Sequence, residues 1–71
     1  MAETLHIGNY INQYLKNNGH TVAWLARQMN CERKKLYRIF NNSYIDTEIL
    51  FSISHILKHD FFVLYSQSLA Q

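Results

Sequence analysis

Proline is absent from this chain, glycine occurs twice, as Gly8 and Gly19, and cysteine once, as Cys31. Strand-rich small domains draw on more turn-forming residues than this, so the shortage favours helices. One thiol cannot close an internal disulfide, and neither a CxxC pair nor a Cys/His zinc spacing occurs, which fits a reducing, cytoplasmic setting. No apolar run approaches the roughly 20 residues of a membrane span. The opening MAETLHIGNY has no basic segment ahead of an apolar core, so no signal peptide is expected. Acidic residues number only five, and Asp46 and Asp60 stand where helix caps belong. No carboxylate pair or nucleophile–base pairing stands out, so an enzyme is not expected, and no cofactor, metal or small-molecule ligand is implied. His55 and His59 lie one turn apart, but no third ligand is evident nearby.

What is present is apolar and helical in period. Hydrophobic residues make up 48% of the 71 residues and aromatics 14%, enough for a packed core and too many for a disordered tail. A chain of this length reads as one domain, residues 1–71, of modest stability. At 100° per residue, five helices emerge. The first spans about Thr4 to Asn17, with Ile7, Tyr10, Ile11, Tyr14 and Leu15 on one arc, and Gly19 stops it in the left-handed conformation. Thr21 caps a second helix, Val22 to Met29, whose inward stripe is Leu25, Ala26 and Met29. Asn30 makes a turn, being one of the few residues besides glycine that tolerate positive φ. A third helix runs from Glu32 to about Phe40. Asp46 caps a fourth that ends near Lys58, and Asp60 caps a short fifth from Phe61 to about Ser68.

The third helix carries the functional signal. Of the seven Lys and Arg residues, five lie between Arg27 and Arg38, namely Arg27 on the second helix and Arg33, Lys34, Lys35 and Arg38 on the third, interrupted by one acid, Glu32. With Arg33 at zero, Tyr37, Asn41, Lys34 and Arg38 fall at roughly 40°, 80°, 100° and 140°, while Ile39, Leu36 and Phe40 fall at roughly 240°, 300° and 340°. One face is cationic and hydrogen-bonding, the other apolar. A helix that packs on a domain while entering a DNA major groove needs that division.

Residues 22–41, VAWLARQMNCERKKLYRIFN, resemble the helix-turn-helix of the phage lambda repressor and Cro family, also called the Xre family. The pattern wants apolar residues where this chain has Leu25, Met29, Cys31, Leu36 and Ile39, a small residue where it has Ala26, and a turn residue where it has Asn30. The likeness extends to IGNYINQYL before it, and to IFNN and IDTEILFSISHIL after it. The resemblance implies an all-α, five-helix lambda-repressor-like domain, with the helix-turn-helix at about 21–41, acting as a sequence-specific double-stranded DNA-binding regulator and most often a repressor. Arg33 and Lys34 would reach base edges, and Tyr37 and Arg38 would read bases or grip phosphates. Thr21, Asn41, Asn42 and Tyr44 stand where the family contacts the backbone; capping and turn chemistry explains them equally well. The chain departs from the family at Val22, where Gln is common, and at Glu32, where Ser or Thr is common. Glu32 can serve the helix dipole, accept from a cytosine amino group, or repel phosphate.

Two further expectations concern partners. Phe51 lies about 160° from Ile53 on the fourth helix, and Phe61, Phe62 and Tyr65 belong to a segment apolar all round. Closing a small core would account for that, and a homodimer seam at about 60–69, as in similar repressors, would account for it as well. Dimerisation would set two reading helices about 34 Å apart on a palindromic operator. The alternative in another class is a protein-interaction module, such as an antitoxin-like partner whose basic face meets an acidic surface. Cys31 reads as a small buried hydrophobe, Trp24 as packing against the first helix in preference to lying beside DNA, and His59 as complementing the end of the fourth helix.

Overall fold

The computed structural model describes residues 5–70, which form five α-helices and, among the described residues, no strand. They are α1 (Ile7–Asn17), α2 (Val22–Gln28), α3 (Arg33–Asn41), α4 (Thr47–Leu57) and α5 (Val63–Leu69). The molecule measures 37 × 23 × 22 Å. The all-α, five-helix expectation is met, with differences at the helix ends. Helix α1 starts at Ile7, later than expected; Thr4 itself lies outside the described residues. His6 serves as its cap, with Nδ1 accepting the Asn9 N–H at 3.0 Å. Helix α3 starts at Arg33 and α5 at Val63, because Glu32 and the Phe61–Phe62 pair lie before the helical turns.

Where the capping chemistry is conventional, it forms. The Thr21 hydroxyl oxygen accepts the Trp24 N–H at 3.0 Å, and the Asp46 carboxylate accepts the Glu48 N–H at 2.8 Å. Each satisfies a donor that the first turn leaves without an intrahelical partner. Asp60 accepts the Phe62 N–H at 2.9 Å and so shapes the turn that leads into α5.

Helices α1, α2 and α4 all end in the same way. A left-handed residue follows each one: Gly19 at φ 77°, Asn30 at φ 56° and Lys58 at φ 54°. After α2, the Asn30 N–H donates to the Arg27 carbonyl at 3.2 Å and the Cys31 N–H to that of Ala26 at 2.9 Å. Gly19 and His20 repeat the pair on Lys16 and Leu15, and Lys58 and His59 repeat it on His55 and Ser54. This double closure is the Schellman motif, which satisfies terminal carbonyls while reversing the chain. Glycine and asparagine suit the left-handed position; lysine has no such aptitude, and nothing in its chemistry announced the role.

The core comprises Ile7, Ile11 and Leu15 of α1, Leu25 and Ala26 of α2, Leu36, Ile39 and Phe40 of α3, Leu50 and Ile53 of α4, and Phe61. The apolar residues that α1, α3 and α4 bury fall at the three- and four-residue spacings of one stripe, while α2 buries the adjacent Leu25 and Ala26 and α5 buries none. Helix α3 packs against both α1 and α2. The contact with α1 depends on Gly8. A Cβ added there would fall 2.6 Å from the Asn42 carbonyl oxygen and closer still to that of Phe40. Beside it, the Ile7 N–H donates to the Ser43 carbonyl at 3.2 Å. The start of α1 and the end of α3 thus meet backbone to backbone, which only a residue without a side chain permits.

Phe61 requires a correction. Expected at a dimer seam, it is 0% exposed and forms part of this core. Its ring stands edge-on to Tyr14 at 5.3 Å, Tyr10 at 6.0 Å and His59 at 4.7 Å. The helical wheel misassigned it because residues 61 and 62 form a turn, not the first turn of α5, so a 100° step does not apply there.

Candidate nucleic-acid interface

Helix α3 is anchored on one side and open on the other. Leu36, Ile39 and Phe40 are buried, whereas Arg33, Lys34, Lys35, Tyr37 and Arg38 are exposed, Tyr37 by 54%. This division follows from the 100° step, since the buried trio occupies one arc and the cations and tyrosine another. Anchoring is firm at the C-terminal end, where α1 meets the α3 backbone at Gly8. At the N-terminal end, the Asn30 turn and the Cys31–Ala26 hydrogen bond set α3 against α2.

Two surface grooves flank the exposed face. One, of about 440 Å³, lies between α2 and the start of α3, bordered by Ala23, Arg27, Cys31, Glu32, Arg33 and Lys34. The other, of about 410 Å³, is bordered by Glu32, Lys34, Tyr37 and Arg38. Arg33, Lys34, Tyr37 and Arg38 therefore come together on one surface, and Glu32 borders both grooves. Thr21, Asn41, Asn42 and Tyr44 are exposed, Tyr44 by 75%, but they border neither groove. Thr21 uses its oxygen as a cap acceptor and retains its hydroxyl proton for donation. The Asn42 N–H closes α3 on the Ile39 carbonyl at 3.1 Å.

Sequence reasoning counted Arg27 among the cations but did not place it at the site. It lies in the last turn of α2, and the packing of α2 on α3 brings it to the groove that holds Arg33 and Lys34. Its position on the α2 wheel, 100° from Ala26 and away from the buried stripe, would have shown that it was exposed. Only the turn geometry shows which groove it faces.

Cys31 is half-buried and packs against the core, with its edge on the groove. Trp24 also packs partly against the core and stacks on His20, with ring centroids 3.9 Å apart and planes 10° from parallel. His59 stacks on Tyr14 at 4.4 Å, while its backbone N–H donates to the Ser54 carbonyl at the end of α4. Of the residues expected at a dimer seam besides Phe61, Phe51 is 65% exposed on α4, while Phe62 and Tyr65 are half-buried against the core. Phe51 and Phe62 border a third groove with Ser54, His55, Lys58 and His59. Among the described residues, no group of three or more His, Cys, Asp or Glu side chains is placed to hold a metal ion. No described helix is long and apolar enough to cross a membrane.

Comparison with protein-family models, curated proteins and solved structures finds no match to this chain.

Proposed function

We propose that this chain is a sequence-specific double-stranded DNA-binding protein of the lambda repressor and Cro type, which reads the major groove with α3 and represses transcription. One observation carries this reading: α3 is buried along Leu36, Ile39 and Phe40 and open along Arg33, Lys34, Tyr37 and Arg38, with Arg27 of α2 beside them. Arginine suits this role because its planar fork matches guanine O6 and N7 as well as phosphate. Asn41 and Asn42 at the end of α3, with Thr21 and Tyr44, supply hydrogen-bond donors for the sugar–phosphate backbone. A homodimer accords with this function, with the exposed Phe51 and the neighbouring Phe62 at the seam.

The test is the salt dependence of binding to duplex DNA. Neutralising Z phosphates gives a log–log slope of about −0.9Z, so four or five engaged cations give a slope of about −4. A slope near zero overturns the reading, and would turn attention to an acidic protein partner. Sedimentation at increasing concentration tests the dimer: wild type should self-associate and Phe51→Glu should not.

A further inference from the structure

We infer that Glu32 is the specificity-determining residue at the start of α3, selecting cytosine at the base pair it faces and weakening the hold of the cationic face on DNA that lacks it. The inference rests on the DNA-binding reading and adds to it a residue that binds by exclusion as much as by contact.

The geometry begins with a cap that is not made. Glu32 occupies the N-cap position of α3 in extended conformation, φ −83° and ψ 150°, yet its side chain forms no capping hydrogen bond. Thr21 and Asp46, at the equivalent positions of α2 and α4, both turn inward to accept a backbone N–H. The preferred capping side chains, Ser, Thr, Asp and Asn, are short; glutamate carries an extra methylene and is not among them. Only the Glu32 carbonyl serves the helix, accepting the Lys35 N–H at 3.1 Å. Its carboxylate is therefore left at the exposed tip of the helix. Among the described residues it is the only acidic group bordering either groove of the cationic face, and it borders both.

A carboxylate offers acceptors and no donor. Against a phosphate, or against guanine O6 and N7 or thymine O4, it meets like partial charge. Cytosine presents a lone amino donor in the major groove, which the carboxylate can accept. Adenine presents its amino group beside N7, an acceptor that would oppose the second carboxylate oxygen. The surrounding Arg27, Arg33, Lys34 and Arg38 would attract any phosphate regardless of sequence. Glu32 reduces that indiscriminate attraction and restores affinity where a cytosine amino group meets it.

Glutamine supplies the decisive variant, because it matches the shape of glutamate but pairs with adenine N6 and N7. Wild type, Glu32→Gln and Glu32→Ala would each be used to select duplexes from a random pool, and each titrated against one random-sequence duplex. The wild type should select cytosine at one position of the site, Glu32→Gln should select adenine there, and Glu32→Ala should show no preference. Both variants should bind random duplex about fivefold more tightly at low salt, the size of one like-charge contact at roughly 4 Å in water. That gain should shrink as salt is raised. Identical base preferences in all three proteins, or unchanged affinity for random duplex, overturn the role of Glu32 while leaving DNA binding intact. Failure of all three to bind any duplex overturns the DNA-binding reading, and this inference with it. Circular dichroism should show wild type and Glu32→Gln equally helical and folded, since the exposed side chain makes no capping hydrogen bond and the loss of its charge beside the helix dipole costs at most about 1 kcal/mol.

Discussion

Replacing Gly8 with alanine sets two effects of opposite sign against each other. Alanine is the better helix former by about 1 kcal/mol, so on propensity alone Gly8→Ala stabilises α1. The new methyl, however, would lie 2.6 Å from the Asn42 carbonyl oxygen and nearer to that of Phe40, where ordinary contact begins at 3.4 Å. Both obstacles are backbone, so no side chain can rotate away, and the end of α3 must retreat from α1 by roughly 1 Å to restore ordinary contact. A gap of that size forfeits about a quarter to a half of each dispersion contact it opens. The side chains that lose contact belong to the buried core of Ile7, Ile11, Leu36 and Phe40 and their neighbours. Overpacking of this kind costs about 1–3 kcal/mol, and more when backbone must move, so the net expectation is a loss of about 1–3 kcal/mol. For a domain of 71 residues that is a large share of a total stability of about 4–10 kcal/mol. Urea denaturation followed by helical circular dichroism measures it, with Gly19→Ala as the comparator. Gly19 has nothing within 4 Å of its added Cβ and loses only its left-handed freedom, at about 1–2 kcal/mol. If Gly8→Ala proves as stable as wild type, or more so, the backbone contact between α1 and α3 is refuted.

Three further expectations follow from the same geometry. Phe61→Ala should cost about 3–5 kcal/mol in the same denaturation assay, as for a buried aromatic; a loss below about 1 kcal/mol would return Phe61 to the surface. Lys58→Gly should raise stability by up to about 1 kcal/mol by relieving the left-handed strain after α4, and a lower thermal midpoint would contradict that conformation. Arg33→Ala should weaken binding to a selected duplex by about 1–3 kcal/mol and relax preference at one base pair; equal weakening on every sequence would make Arg33 a phosphate contact instead.

Much of this fold could be read directly because its determinants are local. Thr21 and Asp46 cap because their short side chains reach the first turn, and Gly19 and Asn30 reverse the chain because they tolerate positive φ. The amphipathic split of α3 follows from counting 100° steps, which also left Phe51 outside. Determinants that depend on distant parts of the chain were not legible. Gly8 gave no sign that it meets Phe40 and Asn42, and Arg27 did not reveal which groove it borders. Phe61 was misread because a continuous helix was extended across a turn. Lys58 and His6 were missed for another reason: each performs a backbone task that its residue type seldom performs.

The repeated left-handed closures after α1, α2 and α4 also have a kinetic consequence. Each reversal is completed by hydrogen bonds that reach back no more than five residues, so it forms on the time scale of a helical turn and not of a chain-wide search. Such local closure is typical of helical domains that fold in microseconds to milliseconds. With no proline in the sequence, no peptide isomerisation can delay the process. Refolding from urea should therefore be a single fast phase, limited by the distant dockings that join Gly8 to the end of α3 and Phe61 to Tyr10 and Tyr14.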